Sequence, residues 1–471
     1  MNTILLIKDI KLLLRDLKFQ MFFLILIALF ILSAISSSVT YQAQSEEYRN
    51  LLNAHQDRVY DESQLILRNM LGAGHHISVV DVPSPSLLFS DYRNYANRMT
   101  NGIMFFTPSF FRYGATGTDG FSLNWNFILG ILMGFIMLIL SFEAVSGEKR
   151  AGTLRLLSIY GFKRQSVLWS KYLSYMLLYL IIITPPALIS MILFFALTGT
   201  WDVSYMMQFL LILFLSIPFA SFFVLLGIFI SMAKNFRNAI VMVVFIWLMF
   251  VIIIPQSANI FGKLISPIKT STEYRQIQNT AWGTEWAIWG EEHGRLVQGN
   301  GHLQEGLRAR AVYASDEKRS LAQQQEFADN IQQQRTMQRI AQLSPFSQFE
   351  KISEIAFDKG HYLFEFQMLT MQNTLAQVRN LMIEQDSRDE TSINSFYSRA
   401  TSDVGGLHGT GLTTFTTQRF EHPNLLFVTN IPTDEGMNKA MKILLRLLPI
   451  LVLNLLLVVG SVVRLERLDI R

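Results

Sequence analysis

The sequence predicts an all-α membrane protein: six transmembrane helices, cytosolic termini and two largely helical extracytoplasmic insertions. Three observations carry this. Half of the 471 residues are hydrophobic and only 16% are charged, against roughly 25% charged in soluble domains. Six apolar runs approach the roughly 20 residues that a helix needs to cross a bilayer core. The basic residues between those runs fall at alternate ends, as positive-inside threading requires. The formal net charge of +4 gives no basis for a nucleic-acid partner, and the absence of cysteine excludes disulfides, zinc–thiolate sites and a cysteine nucleophile.

Residues 1–18 read as a cytosolic amphipathic helix. Leu5, Leu6, Ile10, Leu13, Leu14 and Leu17 recur at helical spacing, with Lys8, Lys11, Arg15 and Lys18 among them. A plain basic anchor on acidic lipid is the alternative reading. The first span covers 19–40 and is apolar from Phe19 to Val39. A basic stretch before it and small residues after it also suit a secretory signal. No A-x-A site follows, however, and cleavage would leave five spans threaded against the charge bias.

The second span is 122–143, and the third is 167–197, where Pro185-Pro186 predicts a kink. The fourth is 205–232 with Pro218 inside, the fifth is 239–257, and the sixth is 441–463. Lys171, Lys442 and Arg446 lie near span ends, where long side chains snorkel to the interface. The amino-terminal tail, the 144–166 loop with Lys149, Arg150, Arg155, Lys163 and Arg164, the turn with Lys234 and Arg237, and the 464–471 tail all carry excess cations. The turn between spans three and four has Asp202 and no Lys or Arg. Both termini and the 144–166 loop are therefore assigned to the cytosol, and residues 41–121 and 258–440 to the outside.

The first outer segment is predicted to continue the first span as a helix carrying Leu51, Leu52, Val59, Leu65, Ile66 and Met70, before a Pro- and Gly-rich stretch. Phe105, Phe106, Phe110 and Phe111 follow, as expected of aromatics at the interface. In the second, Trp282, Trp286 and Trp289 suit an interfacial helix. Residues 304–342 read as one helix, Ser344-Pro345 as its break, and Ser347 to Gln385 as a second, antiparallel helix. Residues 386–411 read as a loop.

The chain offers no engine of its own. There is no G-x-x-x-x-G-K-[ST], no G-x-S-x-G and no H-E-x-x-H. His75-His76 are adjacent rather than one helical turn apart, and Glu291, Glu292 and His293 sit in a Trp-rich segment, so neither group is read as a metal site. Ionisable residues are nearly absent from the span centres, which disfavours a proton-coupled pathway.

The remaining feature is the cytosolic loop, with Glu143, "SGEKRAGTLRLLS" from Ser146 to Ser158, then "GFKRQSVLWSKYL". Leu154, Leu157 and Ile159 give it an apolar edge, and Thr153 or Ser158 can cap a helix turn. Such a piece either lies in the headgroups or docks on a partner. The stretch resembles the ABC-2-type permeases, matching their pattern at Glu143, Gly147, Glu148, Gly152, Thr153, Leu154, Leu157, Ser158, Arg164 and Lys171. Tyr160 and Gly161 stand where that pattern usually has a proline. The enlarged outer segments look like the subgroup of DUF3526-like permeases.

The resemblance implies a non-catalytic subunit of an ABC exporter in the bacterial inner membrane. Two permease chains, identical or paralogous, would pair with two ATPase subunits that bind ATP and Mg, this chain holding no cofactor or metal. Residues 144–166 would be the coupling helix loop, with Glu143, Gly147, Glu148, Arg150, Gly152, Thr153, Leu154 and Leu157 at the ATPase contact. Residues 1–18 would be the connecting helix, and spans two and five would line the path. The apolar spans favour an amphipathic or lipid-like cargo. The alternative is a mechanotransmission subunit whose outer helices relay ATPase motion to a periplasmic or envelope partner.

Overall fold

The computed structural model describes residues 3–61, 76–90, 98–102, 123–160, 162–232, 236–293, 318, 321–322, 324–326, 328–389 and 418–467. The aromatic run at 105–111, the 386–411 loop beyond Asp389, and most of 294–327 lie outside them. Six helices are long and apolar enough to cross a membrane: Leu17–His55, Asn126–Arg150, Arg164–Thr198, Val203–Ser231, Ala239–Ile265 and Gly436–Glu466. All six predicted spans fall on them.

Helix α1 (Thr3–Arg15) is amphipathic, and it ends where the Asp16 carboxylate accepts the Lys18 backbone N–H at 3.0 Å. Helix α2 (Leu17–Asp61) then runs 45 residues without a break. At 1.5 Å per residue that is about 68 Å, more than twice the bilayer core, so it projects well beyond the membrane. Span two begins as a π-helical segment (Asn126–Leu132) and continues as α3 (Met133–Ser141). The short helices α4 (Ser146–Arg150) and α5 (Thr153–Ile159) follow. Spans three and four are α6 (Arg164–Thr198), helical through Pro185 and Pro186, and α7 (Val203–Ser231). Span five is α8 (Phe236–Leu248), a π-helical segment (Met249–Ile253) and α9 (Ile254–Ile265).

Without water competing, spans associate by close packing and by hydrogen bonds. Gly227 of span four meets Ser141 of span two so closely that an added Cβ would overlap the Ser141 hydroxyl. Trp125 Nε1 donates to Ser190 Oγ (3.0 Å), Tyr179 and Ser216 share a hydrogen bond (2.6 Å), and Asn454 Nδ2 donates to the Pro218 carbonyl (2.8 Å).

Helices α10 (Ser271–His293), α11 (Pro345–Phe357) and α12 (Gly360–Arg388) come from the second outer segment, with 328–341 helical before α11. The single helix expected from Ser347 to Gln385 is broken after Phe357. Asp358 (φ 52°) and Gly360 (φ 64°) take the left-handed conformation there. Lys359 Nζ anchors this turn to Asp81 (2.5 Å) and to the Val82 carbonyl (3.1 Å), and Lys439 of the last span reaches Asp358 (2.6 Å).

The break lets α11 do something the sequence did not announce. Instead of lying outside, it packs among the spans. Phe349 stacks on Phe219 of span four (4.9 Å, 14°), and Phe357 meets Phe209 (5.1 Å). Both π-helical segments border it. Gly130 lies in the first, where a Cβ would stand 2.6 Å from the Phe346 ring. In the second, the Phe250 carbonyl accepts the Ser344 hydroxyl. The wider π turn exposes carbonyls that need other partners, and Trp247 Nε1 supplies one to Ile131 (3.2 Å). Phe349→Ala empties a fully buried site. It is expected to destabilise the chain by about 3–5 kcal/mol, read as a lowered melting temperature in detergent.

A small sheet adds to the helical fold. Strand β1 (His76–Val80) pairs antiparallel with β2 (Arg98–Gly102) and parallel with β3 (Phe427–Val428). Ile77 and Val79 of β1 pack on Phe364, Met368, Met371 and Val378 of α12. The sheet thus joins the two segments that the sequence assigns to the outside into one body. The last span is α13 (Gly436–Glu466).

Candidate functional site

The candidate site is the loop between spans two and three, and its geometry starts from a glycine. Gly152 has φ +71°, a conformation that side chains other than glycine adopt at a cost of about 1–2 kcal/mol. It separates α4 from α5 and turns the chain sharply. The Thr153 hydroxyl then donates to the Glu148 carbonyl (3.2 Å), closing the turn. The Gly-Thr pair of the motif therefore shapes the loop. Gly152→Val is expected to lower stability by about 1–2 kcal/mol, read as a lowered melting temperature in detergent, whereas Gly147→Ala, with no neighbour nearer than 4.0 Å, leaves it intact.

One side of the loop is anchored. Lys171 Nζ of span three lies 2.5 Å from Glu148 Oε1 and 2.9 Å from Asp9 Oδ1 of α1. The three side chains are only 12%, 15% and 6% exposed. A single buried ammonium thus ties the amino-terminal helix, the loop and span three together. Leu154 is buried in the core of the bundle and Leu157 packs partly against it. Glu143 is more open, facing Lys18 at 3.4 Å and Arg150 at 3.9 Å. On the same side of the molecule, Arg164 donates to the carbonyls of Leu465 (3.2 Å) and Glu466 (2.8 Å), fastening the end of the last span.

The other side is bare. Leu156 is 53% exposed, Ile159 71% and Tyr160 77%, and Arg150, Ala151, Gly152 and Arg155 are exposed beside them. The apolar edge expected of Leu154, Leu157 and Ile159 together is thus two faces. At about 100° per residue, Leu154 and Leu157 fall on the inner face while Leu156, Ile159 and Tyr160 fall on the outer one. Of the residues singled out from the sequence, Glu148 and Leu154 turn inward. Gly152 and Thr153 set the turn, and Arg150 stands open. Sequence reasoning missed Leu156 and Tyr160, which helical projection could have found. It also missed Asp9, a lone carboxylate on the apolar side of α1.

Elsewhere, Glu291 lies on α10, and the side chains of Glu292 and His293 fall outside the described residues. Among the described residues, no group of three or more His, Asp or Glu side chains could hold a metal ion.

Fold and loop together define a multi-pass membrane protein whose exposed, shaped loop follows its second span. The chain matches the family described as ABC-2 family transporter protein over residues 3–381 and belongs to that family. Membership makes it a membrane subunit of an ABC transporter that works with an ATPase subunit. No curated protein and no solved structure is significantly similar to it.

Proposed function

We propose that the chain is the permease subunit of an ATP-driven exporter of an amphipathic or lipid-like substrate in the bacterial inner membrane. Both termini and the 144–166 loop face the cytosol, and two such chains, identical or paralogous, pair with two ATPase subunits that hold ATP and Mg. The observation that carries this reading is the two-sided loop, anchored within by Lys171 and Leu154 and bare without at Leu156, Ile159 and Tyr160. A rigid element with an unpartnered apolar face suits docking, and its buried anchor suits the transfer of a push to the spans and α1. Purifying the chain together with its ATPase subunit tests the reading. ATPase activity that rises in the complex and responds to the loop supports it, whereas failure to form any complex contradicts it.

One observation favours a second reading, in which the spans relay motion to an outer partner. Helix α11 is keyed between the spans by Phe346, Phe349 and Phe357, and the turn after it is tied to β1 and the last span through Lys359 and Lys439. Movement of spans four and five would then reach the outer body directly. A cargo whose export continues when α11 is cross-linked to span four would dismiss relay as the main role.

A further inference from the structure

At the end of the last span farthest from the loop lies a cavity of about 800 Å³, within the range of small-molecule sites. Five cations line it, Arg335, Arg339, Lys351, Lys442 and Arg446, against one carboxylate, Glu365. Some of that charge is matched. Lys351 pairs with Glu354 (2.6 Å), Lys442 with Asp434, and Arg335 makes long contacts to Glu365 (3.4 Å). Among the described residues, neither Arg339 nor Arg446 has a carboxylate within ion-pair distance. Burial pulls the His361 imidazole down to about 4, so it adds no charge at neutral pH.

The lining also includes apolar side chains, Leu369, Leu445 and Pro449 among them. Arg446 and Pro449 belong to the last span, one turn below Lys442 and deeper, so the cations stand where headgroups meet hydrocarbon. Below Leu445 and Pro449, on the same side of the helix, the span presents Val452 and Leu456 outward, a surface fit for an acyl chain. The Arg446 guanidinium is half-withdrawn from water and feels Glu354 and Glu365 only from beyond ion-pair distance, and a phosphate offers it paired charge-assisted hydrogen bonds.

We infer that this cavity binds the headgroup of an anionic phospholipid from the leaflet on the side assigned to the outside, with its acyl chain along the last span. Arg339 and Arg446 meet the phosphate, and the Lys442 ammonium, 5.3 Å over the Tyr362 ring, stands at the rim. The inference concerns binding alone and does not rest on ATP coupling or on the direction of transport.

The test titrates the full-length chain in neutral detergent with phosphatidylglycerol, phosphatidylcholine or inorganic phosphate, counting bound lipid by native mass spectrometry. Phosphatidylglycerol is expected to bind roughly tenfold more tightly than phosphatidylcholine. Arg339→Gln with Arg446→Gln should abolish the preference, and Arg446→Lys, which keeps the charge and loses the paired bonds, should keep part of it. Arg339→Gln alone changes an exposed side chain and should lower the preference severalfold, so a double variant that fails to fold does not protect the proposal. Lys8→Gln with Lys11→Gln, at the other end of the molecule, should leave it unchanged. Equal binding of the two lipids overturns the proposal, as does a preference that survives the Arg339 and Arg446 changes. Loss of preference in the Lys8 and Lys11 variant places the lipid at the wrong end. Inorganic phosphate binding as tightly as phosphatidylglycerol assigns the cavity to a free anion instead.

Discussion

Lys171→Met is expected to be among the most damaging single changes in the chain. It leaves the carboxylates of Asp9 and Glu148, 6% and 15% exposed, facing each other without their shared cation. Breaking a buried pair in this way costs about 3–5 kcal/mol, because the remaining charge keeps its desolvation penalty and loses its compensation. Here two charges are stranded. Removing all three should be far milder, since replacing both partners of a buried pair with neutral groups is often close to neutral. The triple variant Lys171→Met, Asp9→Asn, Glu148→Gln should therefore recover most of the lost melting temperature. It should not recover full ATPase stimulation, because the ionic tie between α1, the loop and span three is gone. An unchanged melting temperature in Lys171→Met would mean that these groups do not form a buried triad.

The second large effect is on coupling and spares stability. Leu156→Glu with Ile159→Glu alters side chains that are 53% and 71% exposed, so folding and membrane insertion should be unaffected. In the complex those side chains would be buried, and two carboxylates in a desolvated apolar contact weaken docking by several kcal/mol. Stimulated ATPase activity should fall to the level of the isolated ATPase, and co-purification should fail. Leu154→Glu behaves differently, because that side chain is buried in the bundle. It should reduce expression and stability before any effect on coupling can be read. The contrast between Leu154 and Leu156, two positions apart, separates the anchored face from the docking face.

The sequence told some of this story well and some poorly, for physical reasons. The spans were legible because about 20 consecutive apolar residues have few other uses. The loop was legible because its glycine and threonine have conformational jobs that few other residues can do. Helix α11 was not legible. "PFSQFEKISEIAF" shows apolar residues at helical spacing among polar ones, which fits a solvent-facing outer helix as well as one packed among spans. The facing Gly130 and the π-helical segments help make room for it, and neither announces itself in the sequence. The sheet was hidden for a related reason. Its strands are short, and β3 pairs with β1 from across the chain, so no local pattern links them. Asp9 and Lys171 are 162 residues apart, and each alone reads as an interfacial charge.

The absence of cysteine makes the central claim open to direct measurement, because Tyr160→Cys introduces the sole thiol into a chain that has none. In sealed cells a membrane-impermeant maleimide should fail to label it, and in inverted vesicles it should label readily unless the ATPase is bound. A short bifunctional reagent should then join Tyr160→Cys to the ATPase subunit. Labelling from the outside of intact cells, or equal labelling with and without bound ATPase, would contradict the claim that this face of the loop is where the ATPase takes hold.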